Sequence, residues 1–525
     1  MTKKRNNAVH WVIFGEDSYR LAQSYDRVIS YFNSKSALDA IEKSSAEEII
    51  LVNANLISNN LPAMPSESNA FDLIHNGPAY GSERAFETLL CASSNWFFLN
   101  PSSKKRCISW KATMDLCFIR PNTVRSLGGF DRAYQSPEAS LMDFAYRLIL
   151  VGGRVINDPD WWRPKNVNNT KSNIPLQDEF LFICRHLGKS AAIYSAIWEC
   201  ARDRHVFPVI SELSNALKRF KQIPAPTPAS IQKTRLVHQQ KTKSVNNVSV
   251  IIPTLNRYEY LPSAIKSLLN QDFAPDEIII VDQTPAKSRK PEIYEPFSRD
   301  KLKITYLDKA GQSTARNEGL KIASSEWILF FDDDSIAPPD LISKHIAGIE
   351  HSGSYASTGI SLAPWKDRND IPRGLRHYQL TNVLDTGNCL INRSAILSVG
   401  GFDKVFDRGS GADHDLGVRL FVNGSEILLN PMAIRTHYKA ETGGLREFGA
   451  WWRNKTTFLG PYPPPTQIYS IMKYYPSTYW IALIFLFFIK ARKRHKVSEI
   501  IWLWLSSPWK ILISLRQLKI MTSNF

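Results

Sequence analysis

Cysteine is scarce in this chain. The six among 525 residues, Cys91, Cys107, Cys117, Cys184, Cys200 and Cys389, form no CxxC pair and no zinc-ligand spacing. That excludes a zinc ribbon and a disulfide-framed scaffold, and the thiols read as small buried hydrophobes in a reducing compartment. Long apolar runs are also missing. The uncharged stretch Tyr474 to Ile489 falls short of the ~20 residues that span a bilayer as a helix. The basic N-terminus "MTKKRNNAVHWVIFG" leads into neither a long apolar segment nor a small-residue cleavage site, which argues against a signal peptide. Acidic residues are in deficit, 49 against 65 basic ones, for a net charge of +16. Such a balance favours anionic partners. No aromatic-basic recognition motif accompanies it, so nucleic acid is not expected among them.

A chain of this length is too long for one ordinary core, and 43% hydrophobic content with 11% aromatics is enough to fill several. Residues 8–165 alternate strand-like stretches ("AVHWVIFG", "EEIILVNANL") with helix-like ones. Residues 176–222 carry a helical pattern, and "IPAPTPAS" at 223–230 reads as a linker followed by a basic segment. A second α/β region opens at Val248. Its strands "VSVIIPTLN", "DEIIIVDQTP", "KITYLD" and "EWILFFDDDS" alternate with the helical "LPSAIKSLLNQ" and "STARNEGLKIAS". The alternation predicts a largely parallel sheet covered on both faces, with ligands beyond the carboxyl ends of the strands. Asn256, Asp282 and the triplet Asp332-Asp333-Asp334 fall at those ends. Three adjacent carboxylates repel, so water, a cation or a cationic group must compensate them.

The chain also repeats itself. Residues 117–159 align without a gap on 389–431 at an offset of 272. Cys117 and Cys389, the Gly-Gly-Phe-Asp runs, Asp143 and Asp415, Arg147 and Arg419, and Pro159 and Pro431 coincide. Two related domains are expected.

The ordered set "VSVIIPTLNR", "EIIIVDQTP", "GQSTARNEGL", "FFDDDS", "GGFD" and "GADHDLGVRL" in residues 248–460 resembles the family 2 glycosyltransferases. The resemblance implies the GT-A fold, a Rossmann-like mixed sheet with helices on both faces, here in tandem with a truncated relative and followed by a helical tail. It implies a nucleotide-diphosphate sugar as donor, with Pro253, Thr254, Asn256, Asp282, Gln283, Arg316, Asp332 and Asp333 at the donor. It implies Mg²⁺ or Mn²⁺ held by Asp334 with Asp332, and His437 completing the site. The alternative for the triplet is a solvated turn capping the next helix. Where the family often has two acidic residues, this chain has Asp282-Gln283, which leaves the nucleotide open.

The acceptor hydroxyl needs a base. The family places it in a Glu-Asp pair at a helix start, and here the pair reads Ala412-Asp413, with Asp415 as rival. The repeat favours Asp413: Asp415 matches Asp143, which the fold alone explains, while Asp413 matches Leu141. In the first copy the acidic triplet reads Asn53-Ala54-Asn55, and neutral amides bind divalent ions poorly. That copy is expected to be inactive, serving acceptor binding, dimerisation or support.

The expected organisation is a degenerate domain at 1–175, a helical segment and linker at 176–247, the catalytic domain at 248–460 and a membrane-associating tail at 461–525. The tail combines tryptophans with eight Lys/Arg against one Glu from Lys490 to Phe525, which suits an anionic leaflet whether it dips into or lies on it. Together these readings imply an inverting transferase acting on a lipid-linked glycan of a bacterial surface polysaccharide. It would sit in the cytoplasm, on the inner face of the plasma membrane, with a homo-oligomer left open. The alternative is a non-catalytic glycan-binding or scaffold protein.

Overall fold

The computed structural model describes residues 9–14, 28–31, 33–54, 62–63, 65, 72–76, 106–161, 174–203, 206–227, 243–297, 300–407, 409–440, 444, 462–474, 477, 480–481, 483–484, 503 and 505–523. The chain forms two compact units, one of residues Met1–Gln240 with Val422–Gly424 and one of Lys241–Phe421 with Ser425–Phe525.

The first unit carries strands β1 (Val9–Phe14), β2 (Val28–Tyr31), β3 (Glu48–Asn53), β4 (Leu73–His75), β5 (Cys107–Ile108), β6 (Leu116–Ile119) and β7 (Val155–Asn157). Among the described residues they form one sheet in the order β2-β1-β3-β6-β4-β7-β5. Its helices are α1 (Ser34–Lys43), α2 (Pro121–Ser126), α3 (Pro137–Leu150), α4 (Leu176–His186), α5 (Lys189–Asp203) and α6 (Val206–Gln222). The last three were expected as a separate segment. They belong to this unit, and α4 is tied to it by buried polar contacts. Arg185 pairs with Asp131 at 2.8 Å and His186 with Asp143 at 2.8 Å, while Asp178 accepts from the Ser136 amide at 2.7 Å.

The second unit carries β8 (Val248–Thr254), β9 (Glu277–Asp282), β10 (Leu302–Tyr306), β11 (Trp327–Phe331), β12 (Ser335–Ile336), β13 (Ala356–Leu362), β14 (Gln379–Thr381), β15 (Asn388–Asn392) and β16 (Ile427–His437). The order is β10-β9-β8-β11-β15-β13-β16-β12, with β14 also on β16. Its helices are α7 (Leu261–Leu269), α8 (Gln312–Ile322), α9 (Leu341–Ser352), α10 (Arg393–Ser398), α11 (Ala412–Val422), α12 (Pro465–Tyr474) and α13 (Ser507–Ser523). Strands β8 to β11 pair in parallel, as the alternation predicts, but β15 runs antiparallel to both β11 and β13. The sheet is therefore mixed rather than largely parallel. Successive side chains of a strand point to opposite faces. Val250, Ile280 and Leu329 accordingly pack on α7 and α9, while Ile251, Ile279 and Phe330 pack under α8, α10 and α11.

The repeat holds in three dimensions. The offset read from the sequence carries α2 onto α10, β6 onto β15, β7 onto the start of β16 and even β5 onto β14. Gly128 and Gly400 share φ near +80° (80° and 82°), a left-handed conformation that glycine adopts without strain. Strand β10 has no counterpart among the described residues of the first unit.

The expected boundary at 460 also moves. Helix α12 packs within the second unit: Lys473 pairs with Asp403 and Asp415, both at 2.7 Å, and the Tyr474 hydroxyl donates to Asp415 at 2.5 Å. Helix α13 lies on α12, with Ser514 donating to the Pro463 carbonyl at 2.6 Å. Most of the apolar-basic stretch 479–496 lies outside the described residues. No helix among the described residues is long and apolar enough to cross a membrane.

Candidate functional site

Strand β11 ends in Asp332, Asp333 and Asp334, and each carboxylate meets an arginine, Arg257 being shared by Asp333 and Asp334. Asp333 is buried, accepts from Thr254 at 2.7 Å and from Arg257 at 2.8 Å. Asp332 pairs with Arg435 at 2.8 Å and with Arg316 at 3.6 Å. Asp334 lies 3.3 Å from Arg257 and accepts from the Ala440 amide at 3.0 Å. This answers how three like charges end a buried strand: three arginines from three other elements compensate them.

The environments separate the three acids electrostatically. Burial works to raise Asp332, but Arg435, Arg316 and His437 overcome it and hold the carboxyl at about 2. Burial raises Asp333 to about 6 against the pull of Arg257. Asp334 is held below the ordinary aspartate range, burial being outweighed by His437 and Arg257.

Asp334 Oδ1 is the exception to this pairing. It is buried and makes no hydrogen bond among the described residues, and it lies 3.3 Å from His437 Nε2. Ligand atoms of Asp332, Asp334 and His437 lie within 4.8 Å of one another. A buried anionic oxygen beside an imidazole nitrogen and a second carboxylate is a hard donor set that fits Mg²⁺ or Mn²⁺.

The expected donor residues divide. Asn256 sits in the turn after β8 with φ +53°, a conformation asparagine tolerates better than most residues. Pro253 is half-buried in β8. Asp282 lies in the interior, where Tyr258 (2.7 Å), Tyr294 (3.0 Å) and the Thr284 amide (2.9 Å) engage its oxygens. Gln283 is buried and accepts from the Gly311 amide at 2.7 Å. Arg316 is buried and points its guanidinium toward Asp332, with its Nε atom making no hydrogen bond among the described residues.

Opposite the triplet, the turn Asp385-Thr386-Gly387 joins β14 to β15. Asp385 accepts from the Gly387 amide at 3.0 Å and pairs with Arg435 at 3.2 Å. A Cβ on Gly387 would lie 2.0 Å from Asp332 Oδ2, so only glycine leaves the Asp332–Arg435 pair its space. Thr386 donates to Asp413 at 2.5 Å. Burial raises Asp413 above the ordinary range, opposed by Arg316 and the Thr386 bond, with Asp385 and Asp332 adding to the rise. Asp415, two residues on, is buried and saturated by Arg419 (2.7 Å), Lys473 and Tyr474. His414 is exposed.

The first unit carries other residues at the corresponding positions. Leu51 opposes Cys117 as Phe330 opposes Cys389, so Asn53 stands where Asp332 does. Asp115 takes the place of Gly387, and Asn53 donates to it at 3.0 Å. Asn55 lies outside the described residues. The structural pair is kept: Arg147 bonds Asp143 at 2.7 Å and the Leu127 carbonyl at 2.8 Å, as Arg419 bonds Asp415 at 2.8 Å and the Val399 carbonyl at 2.6 Å.

Sequence reasoning missed Arg257, Arg435, Asp385, Thr386 and Gly387. Arg257 follows the strand-end asparagine, and Arg435 stands two residues before His437. Extending the repeat a few residues upstream of Cys389 would have reached the turn.

Residues 249–400 match the family described as Glycosyl transferase family 2. A Campylobacter jejuni GalNAc(5)-diNAcBac-PP-undecaprenol beta-1,3-glucosyltransferase is 40% identical over 91 residues, 17% of this chain and 29% of that protein. The Escherichia coli protein named putative colanic acid biosynthesis glycosyl transferase WcaA is 32% identical over 117 residues, 21% of this chain and 42% of that one. The chain thus spans less than half the length of these relatives. Staphylococcus aureus TarS 1–349 in complex with UDP-GlcNAc is 17% identical and covers 53% of this chain and 84% of its own, with a TM-score of 0.38. So loose a superposition adds nothing to the topology described above. The matched segment, residues 249–400, holds β8 to β11, the acidic triplet and the turn that faces it, and it is this segment of the second unit that carries the family 2 glycosyltransferase match.

Proposed function

We propose that the second unit transfers a sugar from a nucleotide-diphosphate donor to an acceptor hydroxyl, with inversion at the anomeric carbon. The observation that carries this reading is the buried Asp334 Oδ1, which makes no hydrogen bond among the described residues, beside His437 and Asp332. A divalent cation bound there supplies positive charge to the diphosphate as it leaves. Asp334 and His437 would hold it, with Asp332 as the third ligand. Arg316, whose Nε makes no hydrogen bond among the described residues, offers that atom to the diphosphate, and Asn256 and Pro253 border the nucleotide.

Asp413 receives the proton. The acceptor oxygen forms its bond to the anomeric carbon while the bond from that carbon to the diphosphate oxygen breaks, and the hydroxyl proton passes to the Asp413 carboxylate. One base and no covalent sugar intermediate means a single displacement, hence inversion. The C. jejuni relative's name includes a polyprenyl diphosphate, which supports a lipid-linked glycan as acceptor and bacterial surface polysaccharide as product. Helix α13 and the residue leading into it support an anionic membrane surface as partner, on the cytoplasmic face where nucleotide sugars are available. Leu505 (73% exposed), Trp509 (51%), Leu512 (59%) and Ile520 (55%) face outward with Arg516 and Lys519.

The test is release of nucleoside diphosphate from a panel of UDP- and GDP-sugars with Mn²⁺ or Mg²⁺. Native protein should act on at least one donor, lose that activity in EDTA, and lose about 10²-fold or more as Asp334→Asn. Full activity in EDTA would sink the metal reading.

A further inference from the structure

We propose that Thr386 is the positioning residue for the base, fixing which oxygen of Asp413 takes the acceptor proton. The inference rests on Asp413 as base, and it is carried by a contact and a comparison.

The contact is the 2.5 Å hydrogen bond from Thr386 Oγ1 to Asp413 Oδ1. Thr386 is buried, and its β-branched side chain has little χ1 freedom. The turn that holds it is itself locked: Asn388 donates its amide to the Asp385 carbonyl at 2.8 Å, and Gly387 donates to the Asp385 side chain at 3.0 Å. With Oδ1 occupied by a fixed donor, Oδ2 is left for the acceptor. The bond also favours the ionised carboxylate, offsetting the burial that works against it.

The comparison is internal. At the offset of the repeat, Thr386 corresponds to Met114 and Asp413 to Leu141. Both replacements are buried. A polar pair in one copy is an apolar pair in the other, and the change accompanies loss of the acidic triplet. The neighbouring Asp143–Arg147 pair, which serves the fold, persists. A threonine needed only for packing would have no reason to change together with the carboxylate it touches.

The charged groups facing Asp413 are Arg316 from α8, Asp332 after β11 and Asp385 of the same turn, with the Cys389 thiol held neutral by burial. On its own helix, Asp415 is spoken for by Arg419 and Lys473.

The test uses the full chain labelled with [¹³C]aspartate, in Mg²⁺, with the Asp413 carboxyl resonance assigned through Asp413→Asn. In Thr386→Val the Asp413 titration should move to higher pH, because the ionised form loses its donor. Thr386→Ser should restore it. With Mn²⁺ and UDP-GlcNAc or GDP-mannose, Thr386→Val should lower kcat about tenfold or more, the equivalent of one lost charge-assisted hydrogen bond. The donor KM should not change. Thr386→Ala serves if the valine variant fails to fold. An unchanged Asp413 titration in a folded Thr386→Val or Thr386→Ala protein overturns the inference. If Asp413→Asn keeps native nucleotide release, the base reading itself fails. If Asp413→Asn is inactive while Thr386→Val is native in both measurements, only the role of Thr386 fails.

Discussion

Asp413 and Asp415 share the first turn of α11 and meet opposite surroundings. The carboxylate of Asp415 is enclosed by Arg419, Lys473 and Tyr474. Removing one member of a buried ionic cluster strands the others, at a cost of about 3–5 kcal/mol. Asp415→Asn is therefore expected to lower the unfolding midpoint in denaturant while the surviving folded protein keeps its turnover. Asp413→Asn should do the reverse: turnover falls about 10²–10⁴-fold and calorimetric donor binding is unchanged. The pH dependence follows from the direction of the Asp413 shift. Its carboxyl is raised by burial, so the base-competent ionised form is lost at a higher pH than for an ordinary aspartate. The acid limb of kcat should sit correspondingly high. Sequence alone separated these two aspartates only because the repeat supplied a second copy to compare. Arg316 was legible as a donor residue, but its place beside the triplet, like Arg257 and Arg435 themselves, was not, since the three come from separate stretches of chain and meet only through the topology of the sheet.

At the scale of elements, Glu277 at the start of β9 shows how strand ends are joined. It accepts from Ser249 of β8 at 2.6 Å and from the Ser324 amide at 2.7 Å, and pairs with Lys303 of β10 at 2.5 Å. Burial alone would raise its carboxyl, but Lys303, Ser249 and Ser324 together lower it to about 2. A depressed carboxyl stabilises the fold above the unfolded value of 4.5 and loses that contribution as pH falls toward 2. Glu277→Gln should thus destabilise at pH 7 by about 1–3 kcal/mol, and the difference from native should shrink in unfolding curves taken at progressively lower pH between those limits. Helix α12 carries a second prediction. A chain ending after Pro465 loses Lys473 and Tyr474 and should misfold, whereas one ending after Ser477 keeps the partners of Asp415 and should stay folded. If the C-terminal segment holds the protein to membranes, the longer truncation should no longer co-sediment with anionic liposomes that retain the full chain. Equal retention would place the membrane contact elsewhere. The periodicity of apolar residues made the strands and helices readable, but it could not assign α4 to α6 or α12 to a unit. Those assignments depend on individual ion pairs such as Arg185–Asp131 and Lys473–Asp415, which leave no periodic trace.

For the whole molecule, two related units raise the question of how many donors the chain can hold. The first unit has Asn53 for Asp332, Leu141 for Asp413 and no counterpart to β10 among its described residues. One site per chain is expected. Calorimetry with a nucleotide sugar and Mg²⁺ should give a stoichiometry near one, and Asp334→Asn should remove all metal-dependent binding, leaving no residual signal from the first unit. The Asn53–Asp115 bond also couples two positions of that unit. Asn53→Asp alone would set two carboxylates against each other where an amide now donates to an acid. Asp115→Gly alone would remove the carboxylate that accepts from the Asn53 amide. An aspartate at 53 is therefore accommodated only when position 115 changes with it, and a full acidic triplet would need positions 54 and 55 to change as well.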